Sequence, residues 1–239
     1  MRSALNVERS KFMRTYRRFT HRGAKFRVAC DRFGWVIHEI VRQRRLLERY
    51  LLAQPAFLTT LVPIRLLPGA PEAARRMAAA ARRVGVGPMA AVAGCMAQLA
   101  AETALAAGAR EAIIDNGGDI YIAAAEPLTV TVDAGEAAIG DRLAFAIRPE
   151  ETPLAICSSS GKMGHSLSLG SCDLATVVAR DAALADAAAT LAGNLVKQVE
   201  DVDAALNRIA AIRGVRGVLI VKDDRVGLAG RLPRLVRRG

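Results

Sequence analysis

Ile113-Ile114-Asp115-Asn116-Gly117-Gly118-Asp119-Ile120-Tyr121-Ile122 decides the fold class of this chain. Two short apolar runs flank a turn whose adjacent glycines tolerate positive φ, which predicts an antiparallel hairpin. Upstream, the spacing is helical. Ile40, Val41, Leu46, Leu47, Tyr50 and Leu51 recur on one face up to Pro55. Pro71–Val84 and Met89–Ala107 read as two further helices, closed by Gly85 and Gly108. Downstream, strands are expected at Leu128–Val132, Arg142–Ile147, Pro153–Cys157 and Leu174–Val178. An apolar helix over Ala182–Leu195 and an amphipathic one through Val202, Leu206 and Ile209 follow, then a hairpin around Asp223-Asp224. Near the start, Lys25–Cys30 alternates as a strand, and Trp35-Val36-Ile37 reads as a second short one. Helices interleaved with hairpins, without a linker or repeat, define one α+β domain over residues 1–239.

The net charge of +11 belongs to the ends. Residues 1–50 carry +10 and residues 222–239 carry +4, whereas 51–221 carry −3. Residues 1–22 are read as a basic N-terminal extension and 231–239 as a basic tail. Tyr16 and Phe19, set among cations, raise stacking on single-stranded nucleic acid, but no binding motif accompanies them, and that partner is disfavoured. No run reaches the roughly 20 apolar residues of a membrane helix. The nearest, Met89–Gly108, is interrupted by Gln98 and Glu102. With no secretory signal and with four widely spaced cysteines read as reduced thiols, the expected location is the cytoplasm, with no membrane partner.

Three features carry chemistry. On the Ala-rich helix, Asp186 and Thr190 stand at i and i+4, a carboxylate and a hydroxyl on one face, half of a hard-cation site suited to magnesium. Asn116, Gly117, Gly118 and Asp119 offer backbone amides and a carboxylate to a ligand, or simply make a turn. Ser158–Ser166 is rich in Ser and Gly. There Ser159, Ser160 and Gly161 could line a phosphate-binding concavity, and His165 could carry a proton near neutral pH. No G-x-S-x-G elbow, phosphate-binding Gly-Lys-Ser/Thr loop or dinucleotide-binding Gly motif is present.

The order of these features resembles the ApbE-like superfamily, the FAD:protein FMN transferases. The resemblance rests on Asn116-Gly117-Gly118-Asp119-Ile120, the Ser-Gly loop with His165, and Ala185-Asp186-Ala187-x-x-Thr190. Val86–Gly94, Tyr50–Phe57 and Val62-Pro63-Ile64 look like an uncharacterised, UPF-designated cytoplasmic branch. The resemblance implies antiparallel sheets with packed helices in an ApbE-like, T-fold-related architecture. It also implies a site for FAD or FMN and magnesium, with flavin or nucleotidyl transfer to a hydroxyl of an acceptor protein. Asp186 and Thr190 would hold the cation, the Asn116–Asp119 turn would lie by the flavin nucleotide, and His165 would be the catalytic base near the pyrophosphate. Two family features differ. Gly87–Ala93 lacks the family's Lys and Tyr, and His165–Gly170 lacks its Asp and Pro. A non-catalytic flavin- or nucleotide-binding protein is therefore the alternative, and a homo-oligomer is compatible with either.

Overall fold

The computed structural model describes residues 14–133, 143–160 and 171–237. Eleven strands and six α-helices appear among them. The chain opens with β1 (Arg17–His21) and β2 (Ala24–Cys30), then α1 (Phe33–Ala53), the single-turn α2 (Ala56–Thr59) and α3 (Glu72–Val84). A 3-10 turn over Pro88–Ala91 leads into α4 (Val92–Ala106). Next come β3 (Ala112–Asn116), β4 (Asp119–Ala123), β5 (Leu128–Val132), β6 (Leu143–Ile147), β7 (Leu154–Ser159) and β8 (Leu174–Ala179). The chain ends with α5 (Ala182–Leu195), α6 (Asp201–Ala210), β9 (Val215–Lys222), β10 (Arg225–Gly230) and β11 (Arg234–Arg237).

Eight strands form one antiparallel sheet in the order β1-β2-β3-β4-β7-β8-β9-β10, and β11-β6-β5 form a second. Strand alternation gives the large sheet two apolar faces, and each is covered. Val28, Ile114, Tyr121, Cys157 and Val177 pack under the helices. Ile113, Ile120, Ile122, Ile156 and Leu219 pack against Val130, Phe145 and Ile147 of the small sheet. The architecture is therefore α+β, with antiparallel sheets and packed helices, as the sequence pattern and the family resemblance both predict.

Three readings change. Trp35-Val36-Ile37 is helical, because Val36, Ile40, Gln43, Leu47 and Tyr50 form one continuous buried stripe along α1. The basic ends are built into the sheets: β1 pairs with β2, and β11 pairs with β6. Phe19 packs against Phe26, and Tyr16 lies against the inter-sheet core beneath the Arg27 guanidinium, so neither ring is a free stacking platform. Finally, Pro88–Ala106 is long and apolar enough to cross a membrane, with a mean hydropathy of 1.4, although half of it is buried within the protein. Gln98 and Glu102 do not prevent that, since each finds a polar partner.

Candidate functional site

The site is built where α4, α5 and the β3–β4 hairpin meet. Helix α5 is capped at both levels of its first turn. Asp181 accepts from the Leu184 N–H at 3.2 Å, and the Gln98 side chain of α4 accepts from the Ala182 N–H at 2.7 Å. From Ala182 to Ala189 every residue is buried, and Thr190 is the first half-exposed position. The helix therefore carries Asp186 inside the protein and brings Thr190, one turn later, to the edge of solvent. Small side chains permit this close packing. A Cβ added at Gly94 of α4 would collide with the Ala182 carbonyl and stand 3.0 Å from the Asp186 Cβ.

Asp186 is 9% exposed, and its carboxylate accepts from the Gly94 N–H at 2.9 Å and from the Ala93 N–H. Burial pushes its carboxyl up from the usual range, and these two amides oppose the shift. Asn116 and Asp119 form the last pair of the β3–β4 ladder, so the turn itself is Gly117-Gly118, with φ of 72° and 110°. Asn116 ends a strand, and its side-chain amide is free to donate to the Ala93 carbonyl at 3.1 Å. The end of β3 is thereby tied to the start of α4.

Asp119 lies across β4 and β7 from Cys157. The Cys157 thiol, which donates to the Ala182 carbonyl at 3.6 Å, and the Ser158 N–H lie beside the Asp119 carboxyl and oppose its upward shift. The Asp119 Oδ1 is inaccessible to solvent and has no hydrogen-bond partner. Burial raises the Asp119 carboxyl, and the nearby Asp186 and Asp115 charges raise it further. The buried Asp186 carboxyl and the inaccessible Oδ1 of the half-buried Asp119 place two acidic groups in one electrostatic neighbourhood short of positive charge. Sequence spacing links Asp186 to Thr190, but the charge of Asp186 acts on Asp119 through space, between a helix and a hairpin 67 residues apart in the chain. A buried Asp within a run of alanines was its only local signal.

Strand β7 continues past Cys157 to the half-buried Ser159, and Ser160 follows it. Strand alternation puts Ser159 on the same face as Cys157, the face toward α5. Gly161 and His165 lie outside the described residues. Among the described residues there is no group of three or more His, Cys, Asp and Glu at metal-binding spacing. The donors available to a cation are oxygens: the Asp186 and Asp119 carboxyls and the Thr190 hydroxyl. That set suits a hard divalent ion, and the orphaned Asp119 Oδ1 is an acceptor such an ion would satisfy.

A helix-covered antiparallel sheet with this hairpin and helix is the fold of the ApbE flavin transferases. The protein matches the Pseudomonas stutzeri flavinyl transferase ApbE in its apo form at a TM-score of 0.57 and 10% identity, over 92% of this chain and 96% of that one. It matches the Vibrio cholerae flavin transferase ApbE at a TM-score of 0.54 and 13% identity, over 94% and 97%. Residues 35–227 match the family profile described as AbpE bacteria, and the chain belongs to that family. Among its relatives are UPF0280 proteins of Archaeoglobus fulgidus, 45% identical over 209 residues (83% of each chain), and of Methanocella arvoryzae, 42% identical over 198 residues (83% and 80%).

Proposed function

We propose that this protein binds a phosphorylated ligand, with FAD as the leading candidate, together with magnesium, and transfers a flavin or nucleotidyl group to a hydroxyl acceptor. The observation that carries the reading is the buried Asp186 carboxylate one helical turn from the half-exposed Thr190, with the inaccessible, unpartnered Oδ1 of Asp119 on the neighbouring hairpin. When bound, magnesium would neutralise phosphate charge at this end of α5. The chain's own residues do the rest. The Gly94 and Ala93 amides fix the Asp186 carboxylate, and Asn116 ties the hairpin to α4. Ser159, Ser160 and Gly161 are the proposed phosphate-facing residues, with Gly117 and Gly118 beside the nucleotide. His165 is the proposed base that takes the proton of the acceptor hydroxyl. All four cysteines are free thiols, which supports a reducing, cytoplasmic setting.

The second reading is a flavin- or nucleotide-binding protein without transfer, favoured by the family Lys missing from Gly87–Ala93 and the family Asp missing from His165–Gly170. The two readings part in one experiment. FAD is titrated calorimetrically with magnesium and with EDTA, and AMP release is then followed with hydroxyl acceptor peptides. Magnesium-dependent binding with AMP release supports transfer. Magnesium-dependent binding without it leaves a binder, and equal affinity in EDTA defeats the shared cation site.

A further inference from the structure

Helix α1 carries a face that nothing else among the described residues covers. Trp35, His38, Arg42, Arg45, Arg49 and Leu52 follow one another at steps of three and four residues, so they share one stripe. All six are exposed, while the opposite stripe is buried against the core. The two ends are apolar, with Trp35 at 53% and Leu52 at 83% exposure, and the centre is cationic. Arg42 is engaged by Glu39, but among the described residues neither Arg45 nor Arg49 pairs with a carboxylate. The apolar end continues beyond the helix, because Leu58, Leu61 and Val62 are more than half exposed. Isolated exposed apolar side chains are ordinary. Several in one stretch that continues an unpaired cationic stripe are a surface awaiting a partner.

We propose that this face docks a protein whose surface presents an acidic strip with apolar residues at its ends. The stripe spans about 25 Å from Trp35 to Leu52 at 1.5 Å per residue, the length of a helix-sized contact. Charge chooses the occupant. A second copy related by a two-fold axis would set Arg45 and Arg49 of one chain against the same cations of the other, which repels. A membrane-surface helix keeps its apolar ridge central and its cations outside it, whereas here the order is reversed. A nucleic-acid backbone would satisfy the arginines but leave Trp35, Leu52, Leu61 and Val62 in water. Only a partner with both chemistries covers the whole face. Its lower end lies close to the functional site. The Thr60 carbonyl and Leu61 Cα occupy the space where a Cβ at Gly87 would stand, and Gly87 leads directly into the turn before α4. The surface itself does not depend on what that site does.

The test uses the full chain and a fluorescein-labelled synthetic helix of about three heptads, with leucines at both ends and glutamates at i, i+4 and i+7 between them. Fluorescence anisotropy at physiological salt reads the binding. Saturable one-to-one binding is expected, weakened about tenfold or more by Arg45→Glu/Arg49→Glu. Trp35→Ser/Leu52→Ser is expected to weaken it by about fivefold. All four positions are exposed, so circular dichroism and melting temperature serve to show that the variants remain folded. Absence of saturable binding, equal binding of a scrambled peptide, or unchanged affinity in both double variants overturns the proposal. Tighter binding to phosphatidylglycerol-containing vesicles or to an oligothymidylate than to the peptide overturns it in favour of a membrane or a nucleic acid. A dimer in light scattering that Leu52→Ser dissociates overturns it in favour of a second copy.

Discussion

The Gly94 backbone N–H donates to the Asp186 carboxylate at 2.9 Å, and the contact exists because position 94 has no side chain. In Gly94→Ala the added methyl must displace the Ala182 carbonyl or the Asp186 Cβ, so α4 and α5 move apart. Overpacking of this kind costs about 1–3 kcal/mol. Urea denaturation is expected to show that loss, with magnesium-supported ligand binding weakened alongside it. An unchanged midpoint would mean that the helices accommodate a methyl, and that the close approach is not a requirement of the site.

Stability of the metal-free protein is expected to depend on pH in the direction opposite to that set by ordinary ion-paired carboxylates. Asp119 and Asp186 both have raised folded-state values, the first through burial and neighbouring negative charge and the second through burial opposed by two amides. Above the unfolded aspartate value of about 3.9, the native state holds protons that the unfolded chain has released, so stability falls as pH rises toward the raised folded values. Chemical denaturation in EDTA across that range should show the decline. Asp119→Asn should flatten it and raise the midpoint at the alkaline end, because an amide there carries no charge to bury. A decline of unchanged slope in the variant would assign the effect to other groups.

The α+β class, the β3–β4 hairpin and the full extent of α5 are legible in the sequence because each is set by local periodicity and turn chemistry. Trp35-Val36-Ile37 misleads because three apolar residues in a row fit either a strand or a helix, and only the longer stripe to Tyr50 decides between them. Edge strand β1 is hidden in a basic run, since Arg17 and Arg18 directly precede its one apolar side chain, Phe19, which packs against the core. The pairing of Asp186 with Thr190 follows from helical spacing. The placement of Gly94 and Gln98 of α4 and Asp119 of β4 around α5 does not, because these two other segments meet α5 only when the sheet and helices pack.

Ligand binding should separate the proposed cation ligands from the proposed base. Asp186→Asn is expected to lower FAD affinity in magnesium by about tenfold or more, with affinity in EDTA unchanged. Thr190→Val should act in the same direction with a smaller effect. His165→Ala is expected to leave affinity within a few-fold and reduce AMP release by about 10²–10⁴. If His165→Ala abolishes binding, the residue contacts the ligand and its assignment as base is lost.

The thiols should be nearly silent in the native state. Cys95, Cys157 and Cys172 are buried, and burial is the first cause raising each of them, the last to about 12. Cys30 is half-buried and also raised. A thiolate is the reactive species, so an aromatic disulfide reagent at neutral pH is expected to titrate at most one thiol slowly, and all four after denaturation. Rapid native reaction of more than one would show that the α4–α5 core opens.

Removing the first 22 residues tests whether the basic N-terminus is an appendage or part of the fold, and the expected outcome is a damaged fold. The deletion takes away β1, which pairs with β2 from Arg17↔Val28 to His21↔Ala24. It also takes away Phe19 from its contact with Phe26 and leaves β2 as an unprotected edge. Arg14 goes too. Its side chain is 5% exposed and ion-paired with Glu111 at 2.9 Å, and it donates to the Pro127 and Glu126 carbonyls across the start of β5. Losing the cation leaves a largely buried carboxylate and two carbonyls without their donor, which is costlier than losing an exposed pair. A lower melting temperature and concentration-dependent aggregation are expected, both measured by thermal denaturation with light scattering. The point variant Arg14→Gln should reproduce part of the stability loss without the aggregation, because β1 still covers the edge. The proposed site lies on β4, β7, α4 and α5, so any truncated protein that remains folded is expected to keep the FAD binding in magnesium that the proposal assigns to it. Folding at full stability without residues 1–22 would return this segment to the status of a solvated extension.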